Sequence, residues 1–166
     1  MKLLALLLLA IYAAAAPDAN WRPATEAELK DVIPARAPVE KERIETEFPT
    51  ASGVTNGKAY VCGVVLITAG YSADGKYSHF FASQVPIKVG DLSLKPGNYV
   101  FGFQKNLESD SLSVKFYEAQ SGKFLGVVEA NRNSRIGKIQ QFHIYPPSDR
   151  SIVQIGRFAF PYKLGK

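Results

Sequence analysis

Leu112-Ser113-Val114-Lys115-Phe116-Tyr117-Glu118-Ala119-Gln120-Ser121-Gly122-Lys123-Phe124-Leu125-Gly126-Val127-Val128-Glu129-Ala130 decides the fold class. Leu112, Val114 and Phe116 alternate with Ser113 and Lys115, which is the two-residue period of a strand with one dry face. Ser121-Gly122 supplies the turn, and a second apolar strand follows at once. The same grammar extends in both directions. Upstream, Tyr99, Phe101 and Phe103 share one face of Asn98 to Gln104, and Tyr60 to Thr68 is apolar on both sides, as a central strand is. Downstream, Phe142 and Ile144 oppose Gln141, His143 and Tyr145. The last segment reads as one strand in which Ile152, Gln154, Gly156, Phe158 and Phe160 oppose Val153, Ile155, Arg157 and Ala159. Asn56-Gly57, Asp74-Gly75, Pro96-Gly97-Asn98 and Pro146-Pro147-Ser148-Asp149 separate the apolar runs, and these pairs suit hairpin and type II turns. The expected fold is all-β: a single antiparallel sandwich or partly closed barrel of seven to nine strands over residues 54–166. Gly102 and Gly156, placed mid-strand beside aromatics, mark a bulge, a bend or a close approach.

Ahead of this domain, residues 17–53 read as an arm. Thr25 and Glu28 have capping-box spacing, which predicts a short helix near 25–33 that Pro34 stops. Residues 43–48 alternate Ile44, Thr46 and Phe48 with Arg43, Glu45 and Glu47, suiting an edge strand with one charged face. Trp21, the only tryptophan, is expected to anchor the arm on an apolar patch. Residues 1–16 have the layout of a secretory signal peptide: Lys2, an apolar centre from Leu3 to Ile11, and an alanine-rich exit at Ala13–Ala16. Fourteen residues from Leu3 to Ala16 fall short of the roughly 20 that span a bilayer. No cysteine stands near the exit for lipid attachment. The expected product is exported, soluble, free of a transmembrane span, and periplasmic or secreted.

Two stretches carry a resemblance. Leu92-Ser93-Leu94-Lys95-Pro96-Gly97-Asn98-Tyr99-Val100-Phe101 resembles the hydrophobic-x-Pro-Gly-x-Tyr strand start of prealbumin-like β-sandwich modules in secreted bacterial proteins. Tyr117-Glu118-Ala119-Gln120-Ser121-Gly122-Lys123 is similar to their strand–Ser-Gly-Lys–strand hairpin. The resemblance covers about 35 residues and implies a sandwich; no active-site, metal-binding or ligand-binding residue carries over.

The formal charge of +5 is unevenly divided. Residues 17–53 hold five Lys/Arg against eight Asp/Glu, and residues 54–166 hold fourteen against seven. A basic exported domain suits an acidic partner, although its lysines are scattered as ordinary solubilising charge is. No nucleic-acid partner is expected, and the default oligomeric state is a monomer. Cys62, the only cysteine, lies in an apolar run and reads as a buried hydrophobe; one thiol excludes an intramolecular disulfide.

The chain lacks G-x-S-x-G, S-x-x-K, H-E-x-x-H, P-loop and C-x-x-C motifs. His79, His143 and Cys62 could form a three-ligand metal site only if the strands converge, and no spacing says that they do. Neither a metal nor another cofactor is expected. Glu108 and Asp110 read as solvated turn residues, and Glu118 and Glu129 as hairpin neighbours of lysines, so no catalytic residue is assigned. Tyr and Arg favour recognition surfaces, which makes Arg157, Tyr145, His143 and Tyr99 the binding candidates. The leading expectation is an exported non-catalytic binding or structural module of a bacterial cell envelope, with an envelope protein or an acidic ligand as partner. The alternatives are a small β-barrel carrier of an apolar or aromatic ligand, and a hydrolase with an unrecognised site. A carrier requires a cavity of some hundreds of Å³.

Overall fold

Thr25 and Glu28 form the capping box that their spacing predicts. The Thr25 hydroxyl accepts from the Glu28 N–H at 3.3 Å, and the Glu28 carboxylate accepts from the Thr25 N–H at 2.8 Å. Helix α1 (Glu26–Val32) starts there and stops before Pro34. Arg22 donates to both oxygens of Glu28, at 2.9 and 2.7 Å, and this hydrogen-bonded guanidinium holds the Glu28 pKa down to about 2. The computed structural model describes residues 20–165, and the expected signal peptide lies outside the described residues.

The strands are β1 (Arg22–Pro23), β2 (Arg36–Val39), β3 (Glu42–Thr55), β4 (Tyr60–Leu66), β5 (His79–Ser83), β6 (Ile87–Val89) and β7 (Leu92–Leu94). They continue with β8 (Gly97–Asn106), β9 (Ser111–Glu118), β10 (Phe124–Arg132), β11 (Gln140–Ile144), β12 (Ile152–Gly156) and β13 (Phe158–Leu164). Thirteen strands among the described residues replace the expected seven to nine. Two physical causes account for the difference. β1, β2, β6 and β7 have two to four residues each, too few to display a period. The segment read as one final strand is a hairpin: Ile155 pairs with Phe158, leaving Gly156 and Arg157 as a two-residue turn. Gly156 has φ +60, a value glycine adopts without steric cost. Arg157 is therefore at a turn tip, not between apolar strand residues.

Ten strands follow one antiparallel path, β1-β3-β4-β5-β8-β9-β10-β13-β12-β11. The sheet curls until β11 lies against β3, giving a nearly closed barrel. No backbone ladder joins these two strands among the described residues. The Ser52 hydroxyl bridges the seam instead: it accepts from the Ile144 N–H at 2.9 Å and lies 3.3 Å from His143 Nδ1. β3 runs unbroken through the expected boundary at residue 53, with a register shift between Glu47 and Ser52.

Inside the barrel, Phe81, Phe101, Phe116, Phe142 and Phe160 fill the middle, with Val61, Val114, Ile144 and Val153 between them. Full burial of each such side chain is worth about 1.5–3 kcal/mol. One end is closed. Tyr162, Lys163 and Leu164 of β13 pair with β6 while residues 158–159 pair with β10, so the β6–β7 hairpin enters the sheet there. It brings Ile87, Val89 and Leu94 into the core. The other end, where Val65, His79, Phe103 and Phe158 come together, stays open.

The arm covers the outside of the sheet. Leu29 and Ile33 from the helical segment, with Ala37 and Val39 of β2, pack in one cluster with Cys62, Val64, Leu66, Phe80 and Val100. That second core makes β4 apolar on both faces. It also leaves Cys62 2% exposed, with burial pushing its thiol up to about 12. Trp21 is buried with Val54 and Val61 in the barrel cluster, as an anchor of the arm is expected to be. Gly102 is a close approach: a Cβ there would run into the Lys76 carbonyl oxygen of the segment crossing β8. Gly102→Ala is expected to cost about 1–3 kcal/mol, the range for overpacking. A chemical-denaturation midpoint equal to that of the parent would refute this.

Candidate functional site

The open end forms a cleft of about 430 Å³. Its walls follow from strand alternation: Val65 of β4, Phe103 of β8, Leu112 of β9, Ile155 of β12 and Phe158 of β13 line it. Each continues the inward-facing row of its strand beyond the level at which the five phenylalanines fill the interior. Phe103 is the clearest case. It shares a face with Tyr99 and Phe101, but it is 40% exposed while they are 7% and 0%.

His79 forms part of the cleft's lining, in a stack of rings. Its imidazole lies parallel to Phe101 (4.7 Å between centroids, 8° between planes) and is tilted against Phe142 at 5.3 Å and Phe103 at 6.0 Å. Nδ1 is 2.8 Å from the Ser78 hydroxyl, and the buried Nε2 has no hydrogen-bond partner among the described residues. Burial lowers the pKa of this histidine from 6.5 to about 3, so the ring is neutral at ordinary pH. A neutral imidazole has one donor and one acceptor nitrogen. Leaving one unpaired in an apolar wall costs about 1–3 kcal/mol.

Arg157 stands at the rim. It lines the cleft and also an adjoining hollow of about 300 Å³, which Arg132, Asn133, Ile136 and Ile139 share. Arg132 donates to both carboxylate oxygens of Asp110, at 2.6 and 3.1 Å, and lies over the Phe158 ring. Arg157 has no carboxylate partner among the described residues. An apolar cleft beside a hollow flanked by two guanidinium groups suits a molecule with an apolar body and an anionic head.

The other three candidates lie elsewhere. Tyr99 is buried, and its hydroxyl donates to the Lys95 carbonyl at 2.6 Å, bracing the Pro96-Gly97 turn. It borders a separate hollow of about 470 Å³ beside Leu92–Asn98, at the barrel's closed end. His143 belongs to the seam, half-buried, with burial as the first cause of its lowered pKa and the positive Arg150 as the second. Tyr145 is 9% exposed. Its hydroxyl donates to Gln154 Oε1 at 3.1 Å, its carbonyl accepts from the Tyr162 hydroxyl at 2.6 Å, and the Arg150 guanidinium covers its ring at 4.2 Å. The structure thus brings Arg157 alone to the cleft. Sequence reasoning missed Phe103, Phe158 and His79 as lining residues; His79 entered it only as a conditional metal ligand with His143 and Cys62.

The titratable residues do not converge. Cys62 and His79 occupy different cores on opposite faces of the sheet. Among the described residues, no three His, Cys, Asp or Glu side chains are grouped as metal ligands. Glu108 and Asp110 are in the turn between β8 and β9, where Asp110 pairs with Arg132 and Lys105. Glu118 and Glu129 are both exposed on the β9–β10 hairpin. Comparison of the chain with protein-family models, curated proteins and solved structures gives no match.

Proposed function

We propose that the protein is an exported, non-catalytic binding module. It takes a small amphipathic anion, with an aliphatic or aromatic body and a carboxylate or phosphate head, into the open end of its barrel. The observation that carries this reading is the pairing of an apolar 430 Å³ cleft with a guanidinium at its rim, Arg157, that has no carboxylate partner among the described residues. The volume falls within the roughly 300–1,000 Å³ typical of small-molecule sites. Because the middle of the barrel is solid, the site is a shallow cup; it takes part of a ligand and not a whole long chain. Export is supported by the layout of Lys2 to Ala16. The likeness of residues 92–101 and 117–123 to secreted β-modules accords with it.

The test uses 8-anilinonaphthalene-1-sulfonate, an aromatic anion that fluoresces in apolar sites. Saturable one-site binding is expected, displaced by decanoate and not by decyltrimethylammonium. Val65→Trp, which fills the cleft, is expected to abolish binding, and Arg157→Ala to weaken it about ten-fold, the loss of one charge-assisted contact. Unsaturable binding, or binding indifferent to Val65→Trp, would overturn the assignment.

A further inference from the structure

We infer that the open end of the barrel docks on a bilayer surface rich in anionic lipid, with the cleft facing the headgroups. This deepens the ligand reading by naming where the amphiphile comes from, and it rests on that reading for its purpose but not for its test.

Six large apolar side chains are prominently exposed among the described residues, and four of them share this end: Ile67 (45%), Phe103 (40%), Leu107 (82%) and Ile139 (53%). They arrive from separate segments. Ile67 follows β4, Leu107 sits in the β8–β9 turn, and Ile139 closes the loop before β11. The register places all three at one end, because Val65 is opposite His79 and His79 opposite Phe101, Asn106 opposite Ser111, Asn131 opposite both Ser111 and Ala159, and Gln140 opposite Gly156. Apolar tips on unconnected loops around an apolar cleft make a surface that water solvates poorly.

Charge on the same loops selects the kind of surface. Residues 105–110, 132–139 and 156–157 hold five basic side chains, Lys105, Arg132, Arg135, Lys138 and Arg157, against Glu108 and Asp110. The segment 67–78 adds one charge of each sign. Asp110 is engaged by Arg132 and Lys105, whereas Arg135, Lys138 and Arg157 have no carboxylate partner among the described residues. Protruding apolar residues inside a basic ring match the layered chemistry of an anionic leaflet. The tips enter the boundary between headgroups and acyl chains, and the long basic side chains stay at headgroup level. A basic residue held at such a surface strengthens binding by roughly five-fold. The opposite end, covered by the β6–β7 hairpin, is also basic but has a single prominently exposed large apolar side chain among the described residues, Phe124.

The experiment is co-sedimentation with vesicles of phosphatidylcholine alone or with 30% phosphatidylglycerol. The same chain carries every variant, so any contribution of Lys2 to Ala16 is common to all. Pelleting with the anionic vesicles is expected, with little on the neutral ones, and 0.5 M NaCl is expected to reverse most of it. Leu107→Asp with Ile139→Asp is expected to weaken binding at least ten-fold, and Arg135→Glu with Lys138→Glu at least twenty-fold. These positions are exposed, and unchanged thermal melts would show that the fold is intact. Val65→Trp is expected to keep vesicle binding while losing the fluorescent anion, which separates failure of docking from failure of the ligand reading. Equal pelleting on both vesicle types, none on anionic vesicles, or binding unaltered in the loop variants would overturn the proposal. So would loop variants that change only the sedimentation mass of the free protein, because that outcome assigns this end to contact between copies.

Discussion

Acidification from pH 7 to pH 4.5 is expected to remove about 2.5 kcal/mol of folding stability through His79 alone, and His79→Phe is expected to abolish that loss. In the unfolded chain this imidazole takes its proton near 6.5; in the folded barrel burial delays it to about 3. Between those values the unfolded state binds more protons, so stability falls as pH falls. It is fully present above 6.5 and fully lost only below 3, where the total approaches roughly 5 kcal/mol. Phenylalanine can keep the stack on Phe101 without titrating. His143, whose pKa burial also lowers, contributes a slope of the same sign that survives in the variant. The carboxylates paired in the fold, Glu28 above all, lose stability only at lower pH. Urea denaturation at several pH values between 7 and 4.5 separates these contributions. A parent and a His79→Phe protein with parallel pH profiles would show that the folded ring finds a proton partner after all.

Phe101→Ala is expected to cost about 3–5 kcal/mol, the range for removing a buried aromatic ring. Phe101 is fully buried, stacks on His79, and meets Phe116 at 5.1 Å, Phe142 at 6.3 Å and Phe160 at 6.5 Å. Its rigid neighbours come from four strands, so they cannot all collapse into the vacated space. Domains of this size hold about 5–15 kcal/mol in all, so the variant sits near the edge of folding. The denaturation midpoint should fall sharply with little change in slope. The same deletion removes the support beneath His79, so binding of the fluorescent anion should weaken as well. A loss below 1 kcal/mol would mean that the interior is far looser than its geometry indicates.

The central strands were legible because their side chains obey simple periods. Leu112, Val114 and Phe116 do point inward, and Tyr60 to Leu66 is buried on both faces because α1 and β2 cover its outer side. The capping box was legible for a similar reason: two residues three apart satisfy each other's backbone with no help from the rest of the chain. What escaped the sequence depends on distant segments. The alternation through residues 152–160 passes unbroken across the Gly156–Arg157 turn, so it cannot announce a hairpin. Phe101 and Phe103 look alike in sequence. Only the height at which neighbouring strands end makes one a core residue and the other a wall of the cleft. Tyr145 and His143 have the residue types of a binding surface, yet their polar atoms are spent on Gln154 and on the Ser52 seam.

That seam has a kinetic consequence. A barrel laced by backbone ladders all round can open only by breaking several bonds together. Here the β3–β11 junction depends on one serine hydroxyl and the side chains packed around it. Opening there frees the outer edge of β11, which then hangs on the sheet through its pairing with β12 alone, so this is the natural first step of sub-global unfolding. Amide protons of residues 140–144 should exchange ahead of those in β8 and β9. A protease should make its earliest cut near the seam, in residues 133–139. In that half-open form the unpaired margin of β3 becomes a template for a strand from another molecule. The protein's shelf life at high concentration is therefore set at Ser52 and not in its aromatic centre.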